Sequence, residues 1–355
     1  MKAYKTILLI FLYLLVPLFS FAIQKNTKEY HKEIEVDLNA IVEIQNQFGD
    51  LNISSWDQNK VIIDVLVTVK GNNQKRVDDK LDEIDVHFNL NPQRVLARTY
   101  IDENWGFSWF DRSRLSYRVD YTIKLPRSVE VDLDNDYGTI VLNALDGTAK
   151  ISCDYGKLLI GELNSDNNRL SFDYTSNSSI DFIKGGEIRA DFSGFEVEEA
   201  GSIDLTADYS RAYFQTIQNL NFKNDYGKLT VHKINKLSGQ GDYLTLRVGE
   251  LFHNLDVNNE FGSLKVDKIA PAAHLVSIQS EYTGIQIGID PVWDFQYQID
   301  LEFASLRSQV DWNHQIQHIE NYEKSYKGFF LDEKSPNTLS ISSKFGGVKI
   351  NTIHP

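Results

Sequence analysis

Asp225-Tyr226-Gly227-Lys228-Leu229-Thr230-Val231-His232-Lys233-Ile234 is one copy of a phrase that recurs down most of this chain. In each copy an acidic residue usually precedes an aromatic one, and a small or turn residue often follows. The aromatics are Tyr137, Tyr155, Tyr174, Phe192, Tyr209, Tyr226, Tyr243, Phe261, Tyr282 and Phe303, spaced by 17 to 21 residues, and then Phe345 after one doubled interval. A repeat of that length is too short for a domain. Its regularity reads as the coil of a stacked solenoid.

The positions after each aromatic explain the repeat. Apolar residues fall at +3 and +5 and near +8, as in Ile140, Leu142 and Leu145, or Leu264, Val266 and Ile269. Spacing by two puts side chains on one face of a strand, and the third points inward again after a bend. A second alternating pair follows, such as Leu220 and Phe222 or Leu255 and Val257. Each coil is therefore expected to hold two short strands that bury little alone and form a core only when stacked at about 4.8 Å. Gly138, Gly156, Gly227, Gly262 and Gly346 follow the aromatic, and Asn135, Asn224 and Asn259 precede the acid. These are expected to supply positive φ at the corners. Pro271 and Pro291 fall in lengthened coils that accommodate loops.

Residues 23–130 follow the repeat less closely and predict a β-rich cap. Asn46-Gln47-Phe48-Gly49-Asp50-Leu51-Asn52-Ile53 is a first copy, with Leu51 and Ile53 at the same offsets. A strand over Val61 to Val69 follows, then a short helix carrying Val77, Leu81 and Ile84, a hairpin across Asn91-Pro92, and a strand ending at Pro126. Residues 131–355 are the repeat domain of an all-β single-chain β-solenoid of about eleven short coils, with a loop excursion at 312–337.

Lys2 and Lys5 precede an apolar run from Ile7 to Phe19, and Ser20-Phe21-Ala22 ends in a small residue. Residues 1–22 therefore read as a signal peptide whose apolar run is short of a membrane span. Cleavage after Ala22 exposes Ile23 rather than a cysteine, so no lipid anchor is expected, and the mature chain carries no spanning segment. Export to the periplasm, cell surface or medium follows. The net charge of −14 becomes −16 without those residues, which disfavours nucleic acid as a partner, and no Lys/Arg run offsets it locally. Cys153 is the single cysteine and reads as a buried thiol.

With its signal peptide, Phe48-Gly49-Asp50-Leu51 copy, helix-hairpin insert and serial Asp-Tyr-Gly units, the chain resembles the bacterial "putative adhesin" β-solenoid domains of unknown function, common in Bacteroidetes-type envelopes. The resemblance implies a β-helical fold and a cell-envelope setting. It implies an adhesin-like interaction or scaffold protein rather than an enzyme, with an envelope protein or glycan as partner. The alternative is a carbohydrate-binding or carbohydrate-active β-helix protein, a lyase or hydrolase whose acids and bases come from separate coils.

No catalytic, metal or cofactor motif emerges: Gly-x-Ser-x-Gly, the phosphate-binding glycine loop, His-Glu-x-x-His and Cys-x-x-Cys are missing from the sequence. The acids before the rings, from Asp136 to Asp242 and then Glu260, Glu281 and Glu302, should stack into a ladder. Divalent cations could offset its repulsion, but one acid per coil supplies few of the six to eight oxygens calcium takes, so each Asp is expected to cap its own turn. The rings read as a structural stack, with a sugar-binding strip as the other reading. His314 and His318 have i, i+4 spacing but read as solvated loop residues. Trp105, Phe107, Trp109 and Phe110 crowd one charged-flanked segment and are the candidate docking residues, against burial as a plug.

Overall fold

The computed structural model describes residues 23–102, 115–310 and 312–353. The proposed signal peptide and the Trp105–Phe110 segment lie outside the described residues. The chain is all-β, and Gln74–Asp82 is the one helix among the described residues. Its N-cap Asn73 accepts from the Arg76 N–H, and Val77 and Leu81 are buried beneath it. Ile84, expected on that helix, instead opens the strand Ile84–Asn91, because the helix ends at Asp82, one residue after the buried Leu81, with Glu83 as its C-cap.

Each ring stands between two strands. The strand before a ring pairs in parallel with the strand before the next ring, and the strand after it does likewise. Leu205 thus faces Phe222 on the pre-ring side, while Leu229 faces Leu246 and Val231 faces Val248 on the post-ring side. The register repeats the sequence period, so equivalent residues superimpose. The +3, +5 and +8 residues named above are buried, as are the second pairs. Pairing side chains to the same inward row of adjacent strands builds one continuous core.

The N-terminal end changes pairing mode. Arg94–Ile101 and Ser116–Pro126 continue the two parallel ladders next to Ile41–Gln47 and Leu51–Trp56. Antiparallel strands then flank them: Ile84–Asn91 on one side, Lys60–Gly71 and Gln24–Glu35 on the other. Gln24–Glu35 gives no apolar signal in the sequence, being mostly Lys, Glu and other polar residues. It is held by backbone pairing to Lys60–Gly71, and its charge suits an edge strand that must not recruit another chain.

At the other end the stacking order departs from chain order. Thr338–Lys344 lies between Leu275–Glu281 and Phe295–Glu302, and Gly347–Thr352 lies between Gly284–Ile289 and Ser305–Ser308. The C-terminal unit is therefore inserted between the two units that precede it. The doubled interval before Phe345 reflects this detour. The expected loop at 312–337 contains a hairpin, Asn313–Glu320 with Glu323–Phe330, whose second strand covers Phe295–Glu302 in antiparallel fashion. Trp293, in the turn that contains Pro291, is fully buried and donates to the Ala273 carbonyl at 2.8 Å.

Candidate interaction surface

The rings form one column. From Phe48 through Tyr137 to Tyr282, then Phe345 and Phe303, successive centroids lie 4.7–5.2 Å apart and planes differ by 1–12°. From Tyr137 on, each ring in this column is 43–54% exposed. Every one of these aromatics has a φ of 48–60°, in the left-handed region. The corner's positive φ thus falls on the ring residue and not on the glycine expected to carry it. The glycines answer a different need. A Cβ on Gly138 would sit 1.7 Å from the Gly49 carbonyl oxygen, and one on Gly262 would sit 2.1 Å from that of Leu244.

Inside several corners one side chain takes the space. Where the residue two before the ring is Asn, as at Asn46, Asn135, Asn224 and Asn259, glycine follows the ring. Where it is Ala, as at Ala190 and Ala207, serine follows the ring and its hydroxyl points inward. Ser193 Oγ donates to the Asp191 carbonyl at 2.8 Å, and Ser210 Oγ to that of Asp208 at 2.8 Å. Cys153 occupies the same position beside Gly156, fully buried, with burial pushing its thiol up to about 12. This matches the inert thiol expected from the sequence.

The acids are committed to the backbone, but not of their own turns. The Asp191 N–H donates to Asp173 Oδ1 at 3.1 Å, the Asp208 N–H to Asp191 Oδ1 at 3.1 Å, and the Asp242 N–H to Asp225 Oδ1 at 2.9 Å. From Asp154 to Asp225 each carboxylate therefore ties its coil to the next. A charge-assisted bond of this kind offsets the repulsion between neighbours, since hydrogen bonds to charged groups contribute about 1.5–3 kcal/mol and exposed like charges at this spacing repel by roughly 1. At the N-terminal end the offset is weaker: burial and then the neighbouring Asp134 and Asp154 raise the Asp136 carboxyl above its ordinary range. Among the described residues, no group of three or more His, Cys, Asp or Glu is placed to hold a metal ion.

Stacking decides what the column can offer a ligand. Ring faces are covered by the neighbouring rings, the outer side of Phe48 meets Tyr117 edge-on at 5.2 Å, and Phe303 is covered by Tyr322 at 4.6 Å. Sugar rings have no free aromatic face to lie on along the column. What projects is a row of ring edges and phenol hydroxyls. His314 and His318 lie in the strand Asn313–Glu320 rather than in a loop; His314 Nδ1 is 2.8 Å from the Tyr297 hydroxyl, and His318 lies 3.3 Å from Glu320.

Charge divides across the column, a feature that sequence distance concealed. The acids line its pre-ring side, interrupted by Lys344 between Glu281 and Glu302. On the post-ring side the fold gathers Arg211, Lys228, Arg247, Lys265, Lys349 and Arg307 from separate coils. The signal was present at the +2 and +4 positions, which the apolar pattern leaves facing solvent.

No family model matches the chain, and no curated protein does. Among solved structures, one similar chain is a putative cell adhesion protein from Clostridium sporogenes, at 12% identity and a TM-score of 0.18, covering 92% of this chain and 100% of that one. A putative adhesin from Parabacteroides distasonis has 10% identity and a TM-score of 0.36, with 73% and 97% covered. A putative lipid binding protein from the same organism has 8% identity and a TM-score of 0.28, with 92% and 97% covered.

Proposed function

We propose that this chain is an exported, adhesin-like interaction scaffold: a β-solenoid whose coils hold a long, regular surface rather than a catalytic cleft. The observation that carries this reading is the commitment of the acid row. Its carboxylates from Asp154 to Asp225 accept backbone N–H groups of adjacent coils, so these residues, which a lyase or hydrolase of this shape would use, are serving the stack. Among the described residues no helix is long and apolar enough to cross a membrane. Residues 1–22 supply the export signal in this reading. Trp105, Phe107, Trp109 and Phe110 serve as a docking element; they fall in the segment joining Arg94–Ile101 to Ser116–Pro126, the layer that adjoins Phe48.

The test is capture from envelope extracts with the mature chain as bait. A specific envelope protein or glycan should be retained, and replacing Trp105 and Trp109 by serine should weaken capture while leaving the melting temperature nearly unchanged, since aromatic anchors carry much of interface energy. Turnover of a polysaccharide with release of defined products would replace this reading with the carbohydrate-active one. A strongly destabilised double variant would remove the tryptophans from the site.

A further inference from the structure

The post-ring ladder sets residues from five coils into one row: Arg247 faces Lys265, Lys265 faces Gln286, Gln286 faces Lys349, and Lys349 faces Arg307. At about 4.8 Å per strand this places four cations along roughly 19 Å of the stack axis in a chain of net charge −14. Like charges directly opposite on adjacent strands destabilise a sheet. Asp267 relieves the first two, lying 2.9 Å from Arg247 and 2.7 Å from Lys265. No ion pair among the described residues relieves Lys349 or Arg307, and both are exposed.

Between this row and the ring column runs a row of small residues: Ser263, Gly284, Gly347 and Ser305. The two glycines are not explained by the fold. Neither has a positive φ, a Cβ on Gly284 would meet nothing within 4 Å, and one on Gly347 would meet only Ser305 Oγ at 4.0 Å. Glycine inside a strand is less favourable than alanine, and one recognised reason to keep it is close approach of a ligand. The result is an open trough, floored by backbone, with phenyl and phenol edges on one wall and guanidinium and ammonium groups on the other.

We infer that this trough binds a linear anionic polysaccharide laid along the stack axis, its carboxylates or sulfates against Arg247, Lys265, Lys349 and Arg307 and its hydroxyls against Ser263, Ser305 and Gln286. This rests on the interaction-scaffold reading and gives it a ligand class. Single-stranded nucleic acid fits less well, because its binding relies on bases stacking on free aromatic faces, and here the faces are taken up by the column.

Short oligogalacturonates titrated into the mature protein at low salt provide the test, with the methyl-esterified oligomers and single-stranded DNA as comparisons. The acid form should bind, should weaken as salt is added, and should exceed the ester by about tenfold or more, as expected where charge pairing carries the contact. Lys349→Glu with Arg307→Glu should weaken binding by a similar factor. Gly284→Leu with Gly347→Leu should do so without any change of charge, and both pairs should melt like the parent because the sites are exposed. Equal binding of acid and ester, tighter binding of DNA, no binding of the acid form, or parental affinity in either variant would overturn the assignment. Envelope capture that persists and still depends on Trp105 and Trp109 would then leave the scaffold reading standing by itself.

Discussion

A ring residue in this stack is held in a conformation that disfavours it. The left-handed region costs a non-glycine residue roughly 1–2 kcal/mol, and each coil contributes one such residue and one stacked ring pair, the latter worth about 0.5–1.5 kcal/mol beyond burial. The two terms nearly cancel. The column therefore adds little net stability and acts chiefly to fix register, because a slip of one residue would break every stack at once. Tyr226, with neighbours at 4.9 and 4.7 Å, separates the terms. Tyr226→Ala keeps the strain and loses both stacks, so denaturant unfolding should show a loss of about 2 kcal/mol. Tyr226→Gly sheds the strain as well and should lose less; a glycine variant weaker than the alanine one would contradict this balance. Glycines divide similarly by cause. Gly138→Ala, whose Cβ would overlap the Gly49 carbonyl, should cost about 3 kcal/mol or more. Gly284→Ala should be neutral or stabilise by roughly 0.5 kcal/mol, since nothing surrounds the added methyl.

Carboxylates act at the scale of the strand pair. Asp136 has its carboxyl raised above the unfolded value by burial and by Asp134 and Asp154. The folded state therefore holds this proton more tightly than the unfolded chain does, and stability falls as pH rises from the unfolded value through the raised one. Asp136→Asn should remove that part of the pH dependence and raise the melting temperature at pH 7. A lower melting temperature would show that the charged form is required. From Asp154 to Asp225 the carboxylates are already bonded to backbone N–H groups, and Glu302 pairs with Lys344, so melting should be nearly indifferent to chelator and to added calcium; a rise of many degrees with calcium would mean preferential binding to the native state. The strands themselves were legible because apolar residues at +3, +5 and +8 can point only inward in this register. The partner of each Asp was not, because a carboxylate can accept from its own turn or from the next coil, and only strand stacking selects between them. Gln24–Glu35 was illegible for a related reason: an edge strand that makes its bonds through the backbone need not carry an apolar face.

On the scale of the whole molecule, the repeat period reveals that units stack but not the order in which they do so. Phe345 sits 4.8 Å from Tyr282 and 4.9 Å from Phe303, so the last unit in sequence is the last but one in space. Parallel pairing tolerates this because each unit presents the same two edges, and the hairpin at Asn313–Phe330 supplies the length needed to return. The same insertion places Lys349 between Gln286 and Arg307 and completes the cation row. Paired cysteines test this order most directly. Gln286→Cys with Lys349→Cys places thiols on adjacent strands, about 4.8 Å apart at the backbone, while Gln286→Cys with Arg307→Cys places them two strands apart, beyond the roughly 7 Å that a direct bridge allows. Both are made in the Cys153→Ser background. Mild oxidation should form a direct disulfide between 286 and 349 and leave 286 and 307 as free thiols; a 286–307 disulfide with the 286–349 pair unbridged would show the units stacked in chain order and contradict the account.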